Sequence, residues 1–341
     1  MSRAHQSSGY FDIQVNGYAG VDFNSENLTA EGLRLACEAL RRDGVAGALA
    51  TVITDDVPRM VRQLRRIVAL RAADELVADV IWGLHVEGPF ISPDRGYAGA
   101  HPCDAARSAE PLVMERLLEA GGGLVKLVTL APEVDTSCGV IRMLHEAGIV
   151  VAAGHTNATL VQLEAAVDAG LRLFTHLGNG CPMTLDRHDN IVQRALSVAR
   201  RRPLWVSFVA DGAHVPFPTL ANYLQLIPPQ RVIIVSDAIA AAGLGPGRYT
   251  LGRQVLHIGE DLVPRAADHS HLVGSATPLK QMADNLRKQL GLSPQQIAMM
   301  TQSNPRRLLN IDCPDSVTPA ILPPDDVAQD SEASVLRTPR P

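Results

Sequence analysis

Eight short apolar runs, most of them rich in β-branched residues and each followed by a longer stretch able to form an amphipathic helix, frame this chain. They fall at 11–16, 46–53, 80–86, 124–130, 149–153, 172–175, 204–209 and 232–236. Such runs lack the alternation of a half-exposed strand, as parallel strands buried on both faces do. Helix-compatible segments lie between them at 29–42, 57–71, 111–120, 135–147 and 158–169. Several end on a glycine stop, as at Ala147-Gly148 and Ala169-Gly170. The alternation predicts an α/β protein, a (β/α)8 TIM barrel over residues 10–310. An open doubly wound sheet satisfies the same periodicity. No GxGxxG follows the first run, which weakens the dinucleotide-binding form of that alternative. The glycine-rich, polar stretch 243–273 is expected to be an irregular hairpin inserted after the eighth strand. From 311 to 341 the composition turns to Pro, Asp and Ser. That tail is expected to be disordered, because its few apolar side chains cannot offset the entropy of ordering it.

Composition narrows the function classes. The 341 residues are 46% hydrophobic and carry a formal charge of −5. A mildly acidic surface offers no electrostatic footprint for nucleic acid or anionic lipid. No apolar run approaches the ~20 residues of a membrane span. Residues 1–9 are polar and lack the apolar stretch of a signal peptide. The five cysteines are scattered, with no CxxC. A disulfide scaffold is therefore not expected, and a reducing cytoplasm is the expected location.

The polar residues carry the functional signal through their positions. Gln14 and Asn16 end the first run, and His85 and Glu87 end the third. His155 follows the fifth, His176 the sixth, Asp211 and His214 the seventh, and Asp237 the eighth. In a barrel these residues converge on the rim where this fold builds its active sites. Each has an ordinary explanation alone: Glu87 as a turn residue before Gly88-Pro89, Asp237 as a helix N-cap. Together they are costly to gather in one bowl without an ion to compensate their charge. Imidazole nitrogens with a carboxylate oxygen suit Zn²⁺ or Fe²⁺ better than Ca²⁺ or Mg²⁺. Three protein ligands leave a coordination position open for a hydrolytic water, whose pKa such an ion lowers to ~7. Asp237, if not a ligand, can accept the water proton and later donate it to a leaving group.

A series of motifs then resembles the N-acetylglucosamine-6-phosphate deacetylases of the amidohydrolase superfamily. Early in the chain these are Phe11-Asp12-Ile13-Gln14-Val15-Asn16-Gly17, Gly83-Leu84-His85-Val86-Glu87-Gly88-Pro89-Phe90 and Gly99-Ala100-His101-Pro102. Lys126-Leu127-Val128-Thr129-Leu130-Ala131-Pro132-Glu133, Ala153-Gly154-His155-Thr156-Asn157-Ala158 and Thr175-His176-Leu177 follow. Ala210-Asp211-Gly212-Ala213-His214, Ser236-Asp237-Ala238 and Leu272-Val273-Gly274-Ser275 complete the set. Order and spacing hold from about residue 10 to about residue 308.

The resemblance implies that Glu87, His155 and His176 are the metal ligands, Asp237 the general acid and base, and His101 the residue that polarises the acetamide carbonyl. Ala100, Asn179, Gly180, Arg187, His214 and the segment Leu272, Val273, Gly274 match positions that contact the sugar phosphate. Equivalents of Arg187 and His214 reach the phosphate across a dimer interface in such enzymes, which implies a homodimer. Gln14-Val15-Asn16 replaces the His-x-His of two-metal relatives, implying one divalent ion per chain, Zn²⁺ or Fe²⁺. The implied reaction converts N-acetylglucosamine 6-phosphate to glucosamine 6-phosphate and acetate.

Three departures stand out. Only about ten residues precede the first run and no strand pattern follows residue 310, so the accessory β-sandwich of the family is expected to be absent or truncated. The usual Asn-Ala-Met after the sixth-strand histidine reads Gly178-Asn179-Gly180-Cys181-Pro182-Met183, with Asp186-Arg187-His188-Asp189-Asn190 beyond it. Ser275-Ala276-Thr277-Pro278-Leu279 alters the wall near the sugar. N-acetylgalactosamine 6-phosphate or another N-acyl sugar is therefore the alternative substrate. A non-catalytic descendant that binds sugar phosphate is the remaining alternative.

Overall fold

Asp12 and Ser236 lie 224 residues apart, yet the carboxylate of the first accepts a hydrogen bond from the backbone of the second at 3.2 Å. That contact sits at the seam of an eight-stranded parallel sheet in a computed structural model describing residues 9–266 and 271–311. The barrel strands are β1 (Tyr10–Val15), β2 (Val45–Ile53), β3 (Ile81–Glu87), β4 (Val125–Leu130), β5 (Val150–Ala153), β6 (Leu171–Phe174), β7 (Trp205–Phe208) and β8 (Val232–Ile234). Each pairs in parallel with the next in sequence. Between β8 and β1 the ladder gives way to a single bridge, Val15 with Ala238, supported by the backbone of Asn16 donating to the Ala238 carbonyl at 2.7 Å. The barrel is thus nearly closed. Register brings Glu87 beside Thr129, Ala153 beside Leu130 and Phe174 beside Val206, so the residues that follow these strands emerge at one rim.

The expected strands lie within two residues of the observed ones. Their continuous apolar character is explained by burial on both faces: Val125, Leu127, Val128 and Leu130 are all buried. Helices cover the outside through stripes at three- and four-residue spacing, such as Leu33, Ala36, Cys37 and Leu40 on Ala30–Arg42 and Met60, Leu64 and Ile67 on Val57–Ala73. Fully burying each such leucine or isoleucine contributes about 1.5–3 kcal/mol. Local chemistry marks the ends. Thr29 caps Gly32 N, Asp56 caps Arg59 N, and Thr159 with Gln162 forms a capping box for Leu160–Ala169. Gly170 ends that helix at φ +122°, where an added Cβ would lie 2.5 Å from the His145 ring. The helix expected over 135–147 spans Gly139–Glu146. Its late start follows from Asp135, whose carboxylate accepts from Gly139 N and Ile141 N, both at 2.9 Å.

Two short hairpins are the strands outside the barrel among the described residues. One pairs Gly17–Tyr18 with Val21–Asp22; the other, inside the expected insertion, pairs Gly247–Leu251 with Gln254–Ile258. Neither builds a β-sandwich. No described helix is long and apolar enough to cross a membrane. The tail expected over 311–341 lies, apart from Ile311, outside the described residues.

Asp12 also accepts from Gln14 N at 3.3 Å and is buried in the seam. Burial pushes its carboxyl up from 3.8 to about 7, outweighing the hydrogen bonds from Ser236 and Gln14 that favour the anion. The folded protein therefore holds this proton more tightly than the unfolded chain does. The resulting stability is fully present below pH 3.8 and is lost as the pH rises through about 7. In denaturant unfolding across this window the wild type is expected to lose about 1–4 kcal/mol relative to Asp12→Asn, which cannot ionise. Parallel stability curves for the two proteins would rule this out.

Candidate active site

At the rim the chain leaves three strands through left-handed backbone. His155 has φ +52°, His176 +30° and Asp237 +48°. A non-glycine residue held there costs on the order of 1–3 kcal/mol, and surrounding contacts must hold it. They are present. His176 N donates to Ser207 Oγ at 2.8 Å, the His155 carbonyl accepts from Ser92 N at 2.9 Å, and the Asp237 carbonyl accepts from Ser275 N at 2.9 Å. The backbone turns three strand ends inward, so that their side chains share one buried bowl.

Glu87, His155 and His176 offer ligand atoms that all lie within 4.8 Å of one another. Glu87 Oε1 is 2.9 Å from His176 Nε2 and 3.3 Å from His155 Nε2. Burial alone would raise the Glu87 carboxyl, but the two imidazoles hold it well below the usual carboxylate range. His155 Nδ1 faces the Tyr97 carbonyl at 3.0 Å, so that nitrogen carries the proton. Its Nε2 lone pair then points at a carboxylate, an arrangement that only a proton or a metal cation between them makes favourable. Two imidazoles and one carboxylate are a common donor set for a divalent transition metal, so the residues present fit such an ion. Gly180, at φ +60°, packs against the same ring: a Cβ there would fall 2.9 Å from His155 Nδ1.

Two further groups face this cradle. His101 Nδ1 accepts from Thr54 N at 3.2 Å, which leaves Nε2 as the donor, 3.9 Å from Glu87 Oε2. Burial, with His155 beside it, keeps this imidazole neutral and well below its ordinary value. Asp237 is buried opposite, and burial pushes its carboxyl up from 3.8 to about 6 while His176 pulls it down. Asn16 Nδ2 donates to its Oδ1 at 2.7 Å.

A cavity of about 780 Å³ opens from these groups. Glu87, His101, His155, His176, Asp237, Ala100, Asn179, Gly180, His214, Leu272 and Gly274 line it, all of them expected from the sequence. His214 is anchored through Nδ1 to Asp211 Oδ2 at 2.6 Å. Two expected residues are placed elsewhere. Arg187 is exposed and does not line the cavity, because the loop that carries it turns to solvent. Val273 is buried between lining neighbours, its side chain in a small apolar cluster with Ile239 and Leu256. His85 is not at the rim either. Two residues before Glu87 on the same strand face, it lies one layer deeper, its ring between Thr51 and Thr129 at 3.2 and 2.8 Å. Burial lowers it to about 4, so it is a neutral core residue.

Sequence reasoning missed Arg95 and Gln254, both lining the cavity. Arg95 stands on the short helix Arg95–Ala98, far from any strand end, where no periodicity marks it. Gln254 arrives from the second hairpin and donates to the Ala100 carbonyl at 2.7 Å, roofing the bowl.

Comparison with known proteins agrees with this geometry. Residues 8–313 match the sequence profile described as the Amidohydrolase family. The chain is 33% identical over 310 residues to the N-acetylglucosamine-6-phosphate deacetylase of Bos taurus, covering 89% of this chain and 74% of that protein. It is 29% identical over 303 residues to the N-acetylgalactosamine-6-phosphate deacetylase of Escherichia coli O157:H7, covering 89% and 78%. In fold it is similar to an aspartate-to-alanine mutant of the Mycobacterium smegmatis N-acetyl-D-glucosamine-6-phosphate deacetylase, solved in complex with N-acetyl-D-glucosamine-6-phosphate. The TM-score is 0.80 at 30% identity, covering 89% of this chain and 77% of that one. A profile that runs the length of the barrel, with relatives alike in sequence and fold, means that the chain belongs to the amidohydrolase family, whose enzymes are metal-dependent.

Proposed function

We propose that this protein is a deacetylase that hydrolyses the acetamide of an N-acetylated amino-sugar 6-phosphate, N-acetylglucosamine 6-phosphate foremost. The observation that carries this reading is the buried His155, His176 and Glu87 cradle with Asp237 and His101 facing it across one cavity. The similarity to deacetylases of that substrate supports it.

Glu87, His155 and His176 would hold one Zn²⁺ or Fe²⁺. Such an ion supplies Lewis acidity toward a carbonyl oxygen and an attacking water. Asp237 takes a proton from the water as its oxygen bonds to the acetyl carbon, then delivers it to the sugar nitrogen as the C–N bond breaks. His101 donates Nε2–H to the acetamide oxygen as negative charge builds there. Its neutral state matters, because the donor is present at any pH near neutrality. Asn179, Gly180, Ala100, Leu272 and Gly274 form the walls for the sugar, and Val273 braces them from behind.

Phosphate recognition falls to His214 and Arg95. Arg95 is the one arginine or lysine among the described residues that line the cavity, and a guanidinium matches phosphate geometry. Arg187, on the exposed loop, would reach a phosphate only in the cavity of a partner, which fits a homodimer. A reducing cytoplasm fits a metabolic enzyme with four unpaired cysteines among the described residues.

A second reading keeps the chemistry and changes the sugar to N-acetylgalactosamine 6-phosphate. The departure of Gly178–Asn190 from the usual pattern and the similarity to the E. coli enzyme favour it. Acetate release from a panel of N-acetyl amino sugars, with and without the 6-phosphate, separates the two. No release from any of them in metal-replete protein counts against both.

Four outcomes are expected. Asp237→Asn retains the metal and loses ~10²-fold or more in turnover. In the wild type kcat/KM falls as the pH drops through about 6, where the Asp237 base is protonated; a bound cation moves that limb lower, never higher. His155→Ala lowers metal content measured on purified protein, and one equivalent per chain is expected in the wild type. Arg95→Ala raises KM about 10-fold or more for the phosphorylated sugar and leaves the unphosphorylated one unchanged. An equal effect on both sugars would remove Arg95 from the phosphate site.

A further inference from the structure

Gln14 and Asn16 lie two residues apart at the end of β1, so their side chains share one face of the strand. Both are buried, Gln14 at 1% exposure and Asn16 at 2%, and both end in a carboxamide. Each spends its amide donor on a different carboxylate of the site. Gln14 Nε2 donates to Glu87 Oε1 at 3.0 Å, while Asn16 Nδ2 donates to Asp237 Oδ1 at 2.7 Å. The remaining atoms of the two amides differ. Gln14 Oε1 accepts from Thr175 Oγ1 at 2.9 Å, but Asn16 Oδ1 is buried with no partner.

An unmet buried acceptor is unfavourable, and in a native site it calls for an explanation. Turning the Asn16 amide over would not help, because it would set an oxygen against the Asp237 carboxylate, which only accepts. The amide orientation is therefore dictated by Asp237, at the expense of its own carbonyl. We propose that the end of β1 is a positioning element for the reaction: Asn16 ties down Oδ1 of Asp237 so that Oδ2 is the oxygen that moves the proton. Gln14 performs the corresponding task for Glu87, aiming that carboxylate at the metal position. The inference rests on the deacetylase reading only for the identity of the proton acceptor.

A carboxylate free to rotate presents either oxygen to the water and to the nitrogen, and each misplacement lowers the fraction of productive geometries. Asn16 removes that freedom without touching the metal ligands. Gln14 touches a ligand and no proton carrier. The two residues are therefore separable by experiment, although they share a strand face.

The test compares Asn16→Leu, Asn16→Asp and Gln14→Met with wild type, reading metal content, kcat and KM for N-acetylglucosamine 6-phosphate, and thermal melting. The Asn16 variants are expected to keep one metal per chain and KM within about twofold while kcat falls about 10–100-fold. Gln14→Met is expected to weaken metal retention about 10–100-fold in a chelator titration. Asn16→Asp keeps the volume and replaces the amide donor with a carboxyl that either repels Asp237 or shares its proton, so a kcat loss in it as well as in Asn16→Leu, with unchanged melting, excludes a packing effect. If kcat of the Asn16 variants stays within twofold, or if they lose metal as Gln14→Met does, the inference is overturned.

A readout free of turnover distinguishes its failure from failure of the deacetylase reading. The carboxyl ¹³C resonance of Asp237, assigned through Asp237→Asn, is expected to shift and broaden in Asn16→Leu at fixed pH, because the donor that holds one of its oxygens is gone. An unchanged resonance overturns the positioning role. Wild type that releases no acetate while this shift is present overturns the substrate assignment alone.

Discussion

Everything at the rim depends on one buried carboxylate. Glu87 Oε1 receives an amide donor and faces two imidazole nitrogens. In water such a group would be solvated from every side; here the protein must supply the counter-charge. Placing it at the end of β3 obliges the neighbours to follow: His155 and His176 must turn inward through left-handed backbone, Gly180 must lack a side chain, and Gln14 must reach across the bowl. The strain of the two histidines and the demand of the carboxylate meet in one cluster, whose ligand atoms all lie within 4.8 Å of one another.

Around that space the electrostatics are asymmetric. On one side His101 is neutral with its donor fixed by the Thr54 amide. On the other Asp237 is poised near the middle of the useful pH range. Two groups with opposite tasks are thus held apart by burial and by partner choice, without any unusual residue type. His85, identical in chemistry to His101, plays no such part because two threonine hydroxyls occupy both its nitrogens inside the barrel.

The barrel was legible in the sequence because strands buried on both faces and helices buried on one leave distinct signatures. Val125–Leu130 and Ala30–Arg42 are clear instances. The polar strand ends were legible too, since few core positions tolerate them. What escaped was anything set by distance through space. His85 could not be separated from Glu87, because a period of two places both on one face and says nothing of depth. Arg95 and Gln254 come from a four-residue helix and a hairpin, whose positions over the bowl depend on the Gly96–Pro182 contact and the Gln254–Ala100 hydrogen bond. The late start of Gly139–Glu146 was hidden because Asp135 caps that helix from four residues upstream.

The seam between β8 and β1 bears on the order in which the parts of the site come into being. Glu87, His155 and His176 belong to the middle of the chain, on strands β3, β5 and β6 that stack one after another with only β4 between. Asp237 and Asn16 belong to its two ends and meet only where Val15 bridges Ala238. A chain in which only the central strands have paired would bring the three ligands together, yet would lack both Gln14, which aims Glu87, and a fixed proton carrier. Gathering the ligands and putting them to work are therefore separate attainments of this fold, and the second waits for the ring of strands to close.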